Sequence, residues 1–171
     1  MAEELAGFFV ELFGGLTTFK FGKELIIFII SMMPILELRG GLIAATLLGL
    51  KGLPSFIICF IGNIIPIPFI LWFVTPMFNK MKKTKLFKGL VDKLEKKALS
   101  KKEQIEKWQY LGLLFFVGIP LPGTGPWTGC LIASLLDMDK KKAMIASILG
   151  VIMAGIIMMI LSYGVLDKII H

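Results

Sequence analysis

Two uncharged apolar runs, Leu53 to Val74 and Ala143 to Leu166, dominate the hydropathy pattern of the chain. At 1.5 Å of rise per residue each is long enough to cross a hydrocarbon core of about 30 Å, so both are predicted to be spanning helices. Each follows an apolar run that is interrupted. Leu25 to Leu50 is divided by Pro34 and Gly40-Gly41, and Trp108 to Leu136 by a centre that reads Gly118-Ile119-Pro120-Leu121-Pro122-Gly123-Thr124-Gly125-Pro126-Trp127-Thr128-Gly129. Two full crossings need roughly 40 residues, so the first interrupted run either crosses once as a broken helix or dips in and returns as a re-entrant hairpin.

An internal repeat chooses between them. Sliding the chain by 88 residues matches Pro34 with Pro122, Gly41 with Gly129, Ala45 with Ala133 and Gly62 with Gly150, along with Leu25 and Leu113, Phe28 and Phe116, Ile57 and Ile145. Each repeat then consists of a Pro/Gly-broken hairpin followed by one span. Of 19 Lys and Arg, eleven lie between Lys80 and Lys107 and three more at Lys140 to Lys142. Only a re-entrant hairpin puts both basic clusters on one side of the membrane, as the positive-inside rule requires, and it makes the repeats inverted.

The expected fold is an all-α integral membrane protein read as a single membrane domain. Residues 1–23 form an interfacial helix, 24–78 repeat 1, 79–107 a basic cytoplasmic linker and 108–167 repeat 2. From Glu3 to Phe19 apolar residues recur at helical spacing, with Gly14-Gly15 and Lys20 to Lys23 marking the end of the helix, but the stretch is short for a span. In the linker, Leu86, Leu90, Val91, Leu94 and Ala98 recur among lysines, as in an amphipathic helix on anionic headgroups or a solvated connector. Trp108 and Tyr110 fit an interfacial anchor, and Asp137-Met138-Asp139 a cap for the last span.

Composition agrees: 56% of the 171 residues are hydrophobic and mean hydropathy is +0.83, too apolar for a water-facing domain. The net charge of +7 is gathered in the loops as a topology signal, so no nucleic-acid partner is expected. Met1-Ala2-Glu3-Glu4 is acidic where a signal peptide has a basic region, so no cleaved leader is expected. Cys59 and Cys130 lack a CxxC or His neighbour, and the one histidine is His171. No metal, no cofactor and no enzymatic activity are therefore expected.

The chemistry concentrates at the interruptions. Glu37 and Arg39 set an acid and a base two residues apart in an apolar run, where such charges pair with each other or with a ligand. Arg39 offers a planar fork of donors, and Gly40 and Gly41 are expected to open the next half-helix with free N–H groups, a combination suited to an anion. Glu37 is the candidate proton-coupling acid; the alternative is a fixed ion pair that only shapes the loop. In the second tip, Gly123, Thr124, Gly125 and Thr128 are candidates to complete a polar pocket with Trp127 as its wall, or else to satisfy one another. Asn63, after Gly62 and before Pro66 and Pro68, either bonds a freed carbonyl or faces the cavity.

These blocks, Glu37-Leu38-Arg39-Gly40-Gly41, Gly62-Asn63 with Pro66 and Pro68, and Pro120 to Gly125 with Trp127-Thr128-Gly129, resemble the signature of the small multidrug export protein family. That family in turn resembles the DedA/VTT membrane proteins, whose inverted repeats with re-entrant hairpins are associated with translocating undecaprenyl phosphate and other phospholipids. The resemblance implies a lipid-phosphate translocase. The pattern departs at Thr124, where the DedA block carries an acid, so coupling through a pair of acids is not implied.

The leading expectation is an inner-membrane, multi-pass transporter moving an anionic, lipid-linked phosphate by alternating access, coupled to a proton or sodium ion. Its partners are membrane lipids, the substrate and a second copy of the chain in a homodimer. Export of lipophilic cations through Glu37 is the first alternative, and a non-transporting scaffold the second.

Overall fold

The computed structural model describes residues 2–82, 92, 96, 108–121 and 123–166. Every element among them is helical. The helices are α1 (Ala2–Leu12), α2 (Gly22–Met32), α3 (Glu37–Leu47), α4 (Gly52–Ile64), α5 (Pro66–Lys82), α6 (Gln109–Gly118), α7 (Pro126–Leu135) and α8 (Lys140–Leu161). A short 3-10 turn, Gly14–Thr18, follows α1, and a π turn, Ser162–Leu166, closes α8. The 3-10 turn opens on Gly14-Gly15, so α1 ends short of Phe19. The amphipathic helix expected between Asn79 and Lys107 falls almost wholly outside the described residues.

The two long spans stand where the hydropathy places them, Gly52–Val74 and Lys140–Gly164. Pro66 and Pro68 do not end the first of them, because Pro66 takes the opening position of α5, where a missing N–H costs no hydrogen bond. Both spans turn large apolar side chains outward. Leu53, Ile57 and Ile61 on α4, Phe69 and Phe73 on α5, and Ile145, Leu149, Ile156 and Ile160 on α8 are all about half or more exposed. Stripes of this kind on water would cost far more than a folded chain can offset, and acyl chains are the solvent that suits them.

Two compact units form, one from Met1–Ile65 with Val151–His171, the other from Pro66–Gly150. In the first, α2, α3 and α4 pack on one another and α1 lies against α3. Its core is Ile26, Ile27, Ile30, Leu38, Leu42, Ala44, Ala45 and Cys59, all essentially inaccessible. Glycine permits the closest approaches. A Cβ on Gly41 would strike Ser31 Oγ, Cys59 Sγ and the Ile27 carbonyl, and one on Gly62 would sit 2.8 Å from the Phe28 carbonyl. Ser31 turns its hydroxyl back on Ile27 O at 2.7 Å, which keeps this polar atom satisfied in the core.

In the second unit α7 packs on α5 and α6 around Ile67, Leu71, Leu113, Val117, Ile132 and Ala133. Gly129 stands against Val117 and Leu113, and Gly150 against the Leu114 carbonyl and Val117. Asp139 Oδ1 accepts the Lys142 N–H at 2.9 Å and so caps α8, as its position before the span led one to expect. Asp139→Ala is expected to lower stability by about 1 kcal/mol, read as a reduced melting temperature in detergent.

Each unit contains a helical hairpin with a fastened base. Lys23, at the start of α2, donates from Nζ to the Leu48 carbonyl just past α3 at 2.9 Å. In the other, the Asp139 N–H, beyond α7, donates to the hydroxyl of Tyr110 at the start of α6 at 3.2 Å. The four helices have 10 or 11 residues each, hence about 16 Å of length, half of what a crossing needs.

Candidate functional site

The ten candidate residues divide between the units: Glu37, Arg39, Gly40, Gly41 and Asn63 in the first, Gly123, Thr124, Gly125, Trp127 and Thr128 in the second. Each group is described on its own.

In the first, Pro34 ends α2 two residues past its last turn, and Glu37 starts α3 with its N–H donated to Met33 O at 3.0 Å. Glu37 holds φ at 53°, the left-handed region that side chains other than glycine enter at a cost of about 1 kcal/mol or more. It is also 4% exposed, so a strained backbone carries a buried carboxyl at the tip of the hairpin. Arg39, two residues further, is half-buried and within electrostatic range of Glu37. Of the two charges the base is the more accessible.

The glycines that follow do something other than expected. Gly40 and Gly41 lie inside α3, and the Gly40 N–H is donated to Leu36 O at 2.8 Å, so it is not offered to a ligand. Their role is steric: a Cβ on Gly40 would meet Leu36 Cβ at 2.6 Å, and Gly41 lets α2 and α4 close on α3. The physical reason is that the break falls wholly on residues 33–36, leaving no second interruption for the glycines to make.

Asn63, on the last turn of α4, is 2% exposed, and its Oδ1 has no hydrogen-bond partner among the described residues. Its register is fixed by packing. Helices α3 and α4 are joined by a short turn and run antiparallel, with Gly41 against Cys59. Four residues back from Gly41 and four on from Cys59, Glu37 and Asn63 lie toward the same end of this helix pair, and both are buried.

In the second unit the loop between α6 and α7 is longer. Gly123 at φ 76° and Gly125 at φ 145° hold conformations that suit glycine. The Thr124 hydroxyl lies 2.9 Å from the Ile119 carbonyl and 2.8 Å from that of Leu121, so it braces the loop from within. Trp127 and Thr128, on the first turn of α7, are half-buried. Of the two residues that fasten the hairpin bases, Tyr110 reads in the sequence as an interfacial anchor and Lys23 is not among the candidate site residues. Neither bond is announced by a local pattern, since the partners lie 25 and 29 residues away.

Compared with models of protein families, residues 37–157 match the family described as "Putative small multi-drug export protein". The chain belongs to that family. The match opens on Glu37 and closes within α8, covering well over half of the small multi-drug export chain and all ten candidate residues. Neither curated proteins nor solved structures give a match. The family's description together with two long, outward-apolar helices gives a membrane protein with an export role.

Proposed function

We propose that this chain is a carrier built of two inverted repeats, whose short hairpins re-enter the membrane from opposite faces and hold an anionic, lipid-linked phosphate between turns of transport. Support for the repeats comes from local geometry at one constant offset. Helix α3 at 37–47 shifted by 88 falls on 125–135, against α7 at Pro126–Leu135, and the span 52–74 falls on 140–162, against Lys140–Gly164. The positive-φ residues Glu37 and Gly49 have their counterparts in Gly125 and Asp137. Even the closing bonds recur: Leu48 N to Ala44 O and Leu50 N to Ala45 O become Leu136 N to Ile132 O and Met138 N to Ala133 O.

The observation that carries the substrate reading is the unequal burial of the tip charges. Arg39 is half-buried and Glu37 almost wholly so, which makes the guanidinium the group an incoming ligand meets. A guanidinium at hydrocarbon depth attracts a phosphate head, and its fork pairs two oxygens at once. Glu37 is the group that exchanges the coupling cation, and the lysine clusters keep the linker and Lys140 to Lys142 on the cytoplasmic side of the inner membrane. The family's description favours a second reading, export of lipophilic cations drawn to Glu37.

Thermal stabilisation of the detergent-solubilised chain separates the two. Polyprenyl phosphate is expected to raise the melting temperature by about 4 °C or more near saturation, and cationic dyes to leave it unchanged. The reverse order supports cation export, and the lipid-phosphate reading then fails.

A further inference from the structure

Resting on the carrier and repeat reading above, we infer that the bodies which move during transport are the two compact units, each assembled from both repeats, and that the repeats themselves bend at residues 65–66 and 150–151. The chain leaves the first unit between Ile65 and Pro66 and returns to it between Gly150 and Val151, each time part-way along a span. Each unit therefore holds one hairpin, the first part of the span that follows it, and the second part of the other repeat's span.

Packing inside each unit crosses from one repeat to the other. In the first unit a Cβ on Gly155 would run into the ring of Phe56, and one on Gly52 would stand 3.1 Å from Met159 Cε. The Tyr163 hydroxyl donates to the Leu50 carbonyl at 3.1 Å, and Ala154 and Met158 are buried on the same stretch of α8. In the second unit Ser134 on α7 donates from Oγ to the Leu71 carbonyl on α5 at 3.4 Å, and Ile67, Ile70 and Leu71 are buried. Side chains packed this closely do not slide by small steps, so the elements that carry them shift together. The spans are weakest where they pass between units. Pro66 has no N–H, so the Gly62 carbonyl lacks its helical donor, and Ile65 lies in a turn between α4 and α5. The other passage falls at Gly150, which the 88-residue shift sets on Gly62. Gly150 is held by Leu114 and Val117 of its own unit, and Val151 begins the other. Proline and glycine are where long helices bend. Were the repeats the rigid bodies, the cross-repeat contacts would have to break in every cycle.

Paired spin labels on the full chain in lipid nanodiscs, with Cys59 and Cys130 replaced by alanine, test this through distance distributions. The four sites are exposed: Leu25 on α2 and Ile160 on α8 belong to the first unit, Phe73 on α5 and Leu111 on α6 to the second. Leu25 with Ile160, and Phe73 with Leu111, join opposite repeats within one unit, and each pair is expected to give a single narrow distance in the unliganded chain. Leu25 with Phe73, and Leu111 with Ile160, join the two units within one repeat, and each is expected to broaden or split into two populations. Ile156 and Phe69, exposed on the same helices, replace Ile160 and Phe73 should either label disturb folding. A single narrow distance in the same-repeat pairs, or a spread in the same-unit pairs, overturns the inference, and the reversed pattern identifies the repeats as the moving bodies. The substrate reading is judged by the melting-temperature shift alone, so a chain that ignores polyprenyl phosphate still shows which pairs are fixed.

Discussion

Arg39→Ala is expected to weaken polyprenyl-phosphate binding at least about 30-fold, a loss of ~2 kcal/mol, as befits removal of a charge-assisted donor pair. Arg39→Lys keeps the charge and loses the fork, and its affinity should fall between the two. The substitution has a second consequence, because it leaves Glu37 buried without the neighbouring cation, so Arg39→Ala should also melt early. Pairing it with Glu37→Gln removes the stranded charge. That double variant should recover most of the lost stability and none of the lost affinity, which distinguishes a ligand-binding arginine from one that only neutralises its neighbour. Were the chain an exporter of cations, Arg39→Ala would instead retain or tighten the binding of cationic dyes.

The largest expected effect on folding belongs to Gly41→Leu. A side chain there is driven into Ser31, Cys59 and the Ile27 backbone at once, all of them fully buried and shared between two other helices, so no rotamer relieves it. The cost should exceed about 3 kcal/mol and leave little monodisperse protein after purification. Gly129→Leu, pressed against Val117 and Leu113, should behave alike in the second unit. Gly7→Ala provides the contrast: nothing lies within 4 Å of the added carbon, and in the middle of α1 the change should stabilise by roughly 0.5–1 kcal/mol. If Gly41→Leu and Gly7→Ala melt alike, the close packing of α2, α3 and α4 described above is wrong.

Gly41 also shows where the sequence stops being legible. Length and charge suffice to find the two spans within a few residues, because hydrophobic runs of that length have few other uses. The interruptions are legible too, since Pro34 and the cluster from Pro120 to Pro126 cannot continue a helix. A glycine pair is different, for glycine marks both a broken helix and a close approach, and only the neighbour across the gap tells which. At Gly41 the neighbours are Ile27 and Cys59, 14 and 18 residues away, and no local pattern announces them.

The candidate site was legible in kind and not in arrangement. Glu37 and Arg39 stand out because charge in an apolar run is costly, yet nothing in a glutamate foretells a φ of 53° or its nearly complete burial. That conformation falls where the four-residue return between α2 and α3 ends, at the first residue of α3. Asn63 could be noticed beside two prolines, but its place toward the same end as Glu37 follows from the contact of Gly41 with Cys59, which is tertiary. Thr124 looked equally suited to ligand and to loop, and its hydroxyl contacts lie within the loop.

Re-entry of the hairpins is the claim on which carrier, site and coupling ion all depend, and impermeant maleimide labelling of sealed cells tests it most directly. Cys59 and Cys130, both buried, are replaced by alanine, and single cysteines are placed at Lys20, Lys51 and Lys141. Lys20 and Lys51, on either side of the first hairpin, should both label from outside, and Lys141 only after the membrane is opened. Labelling that puts Lys20 and Lys51 on opposite faces, or Lys51 and Lys141 on the same one, would mean that one of the hairpins crosses the membrane, or that the span between them does not, and would contradict the account.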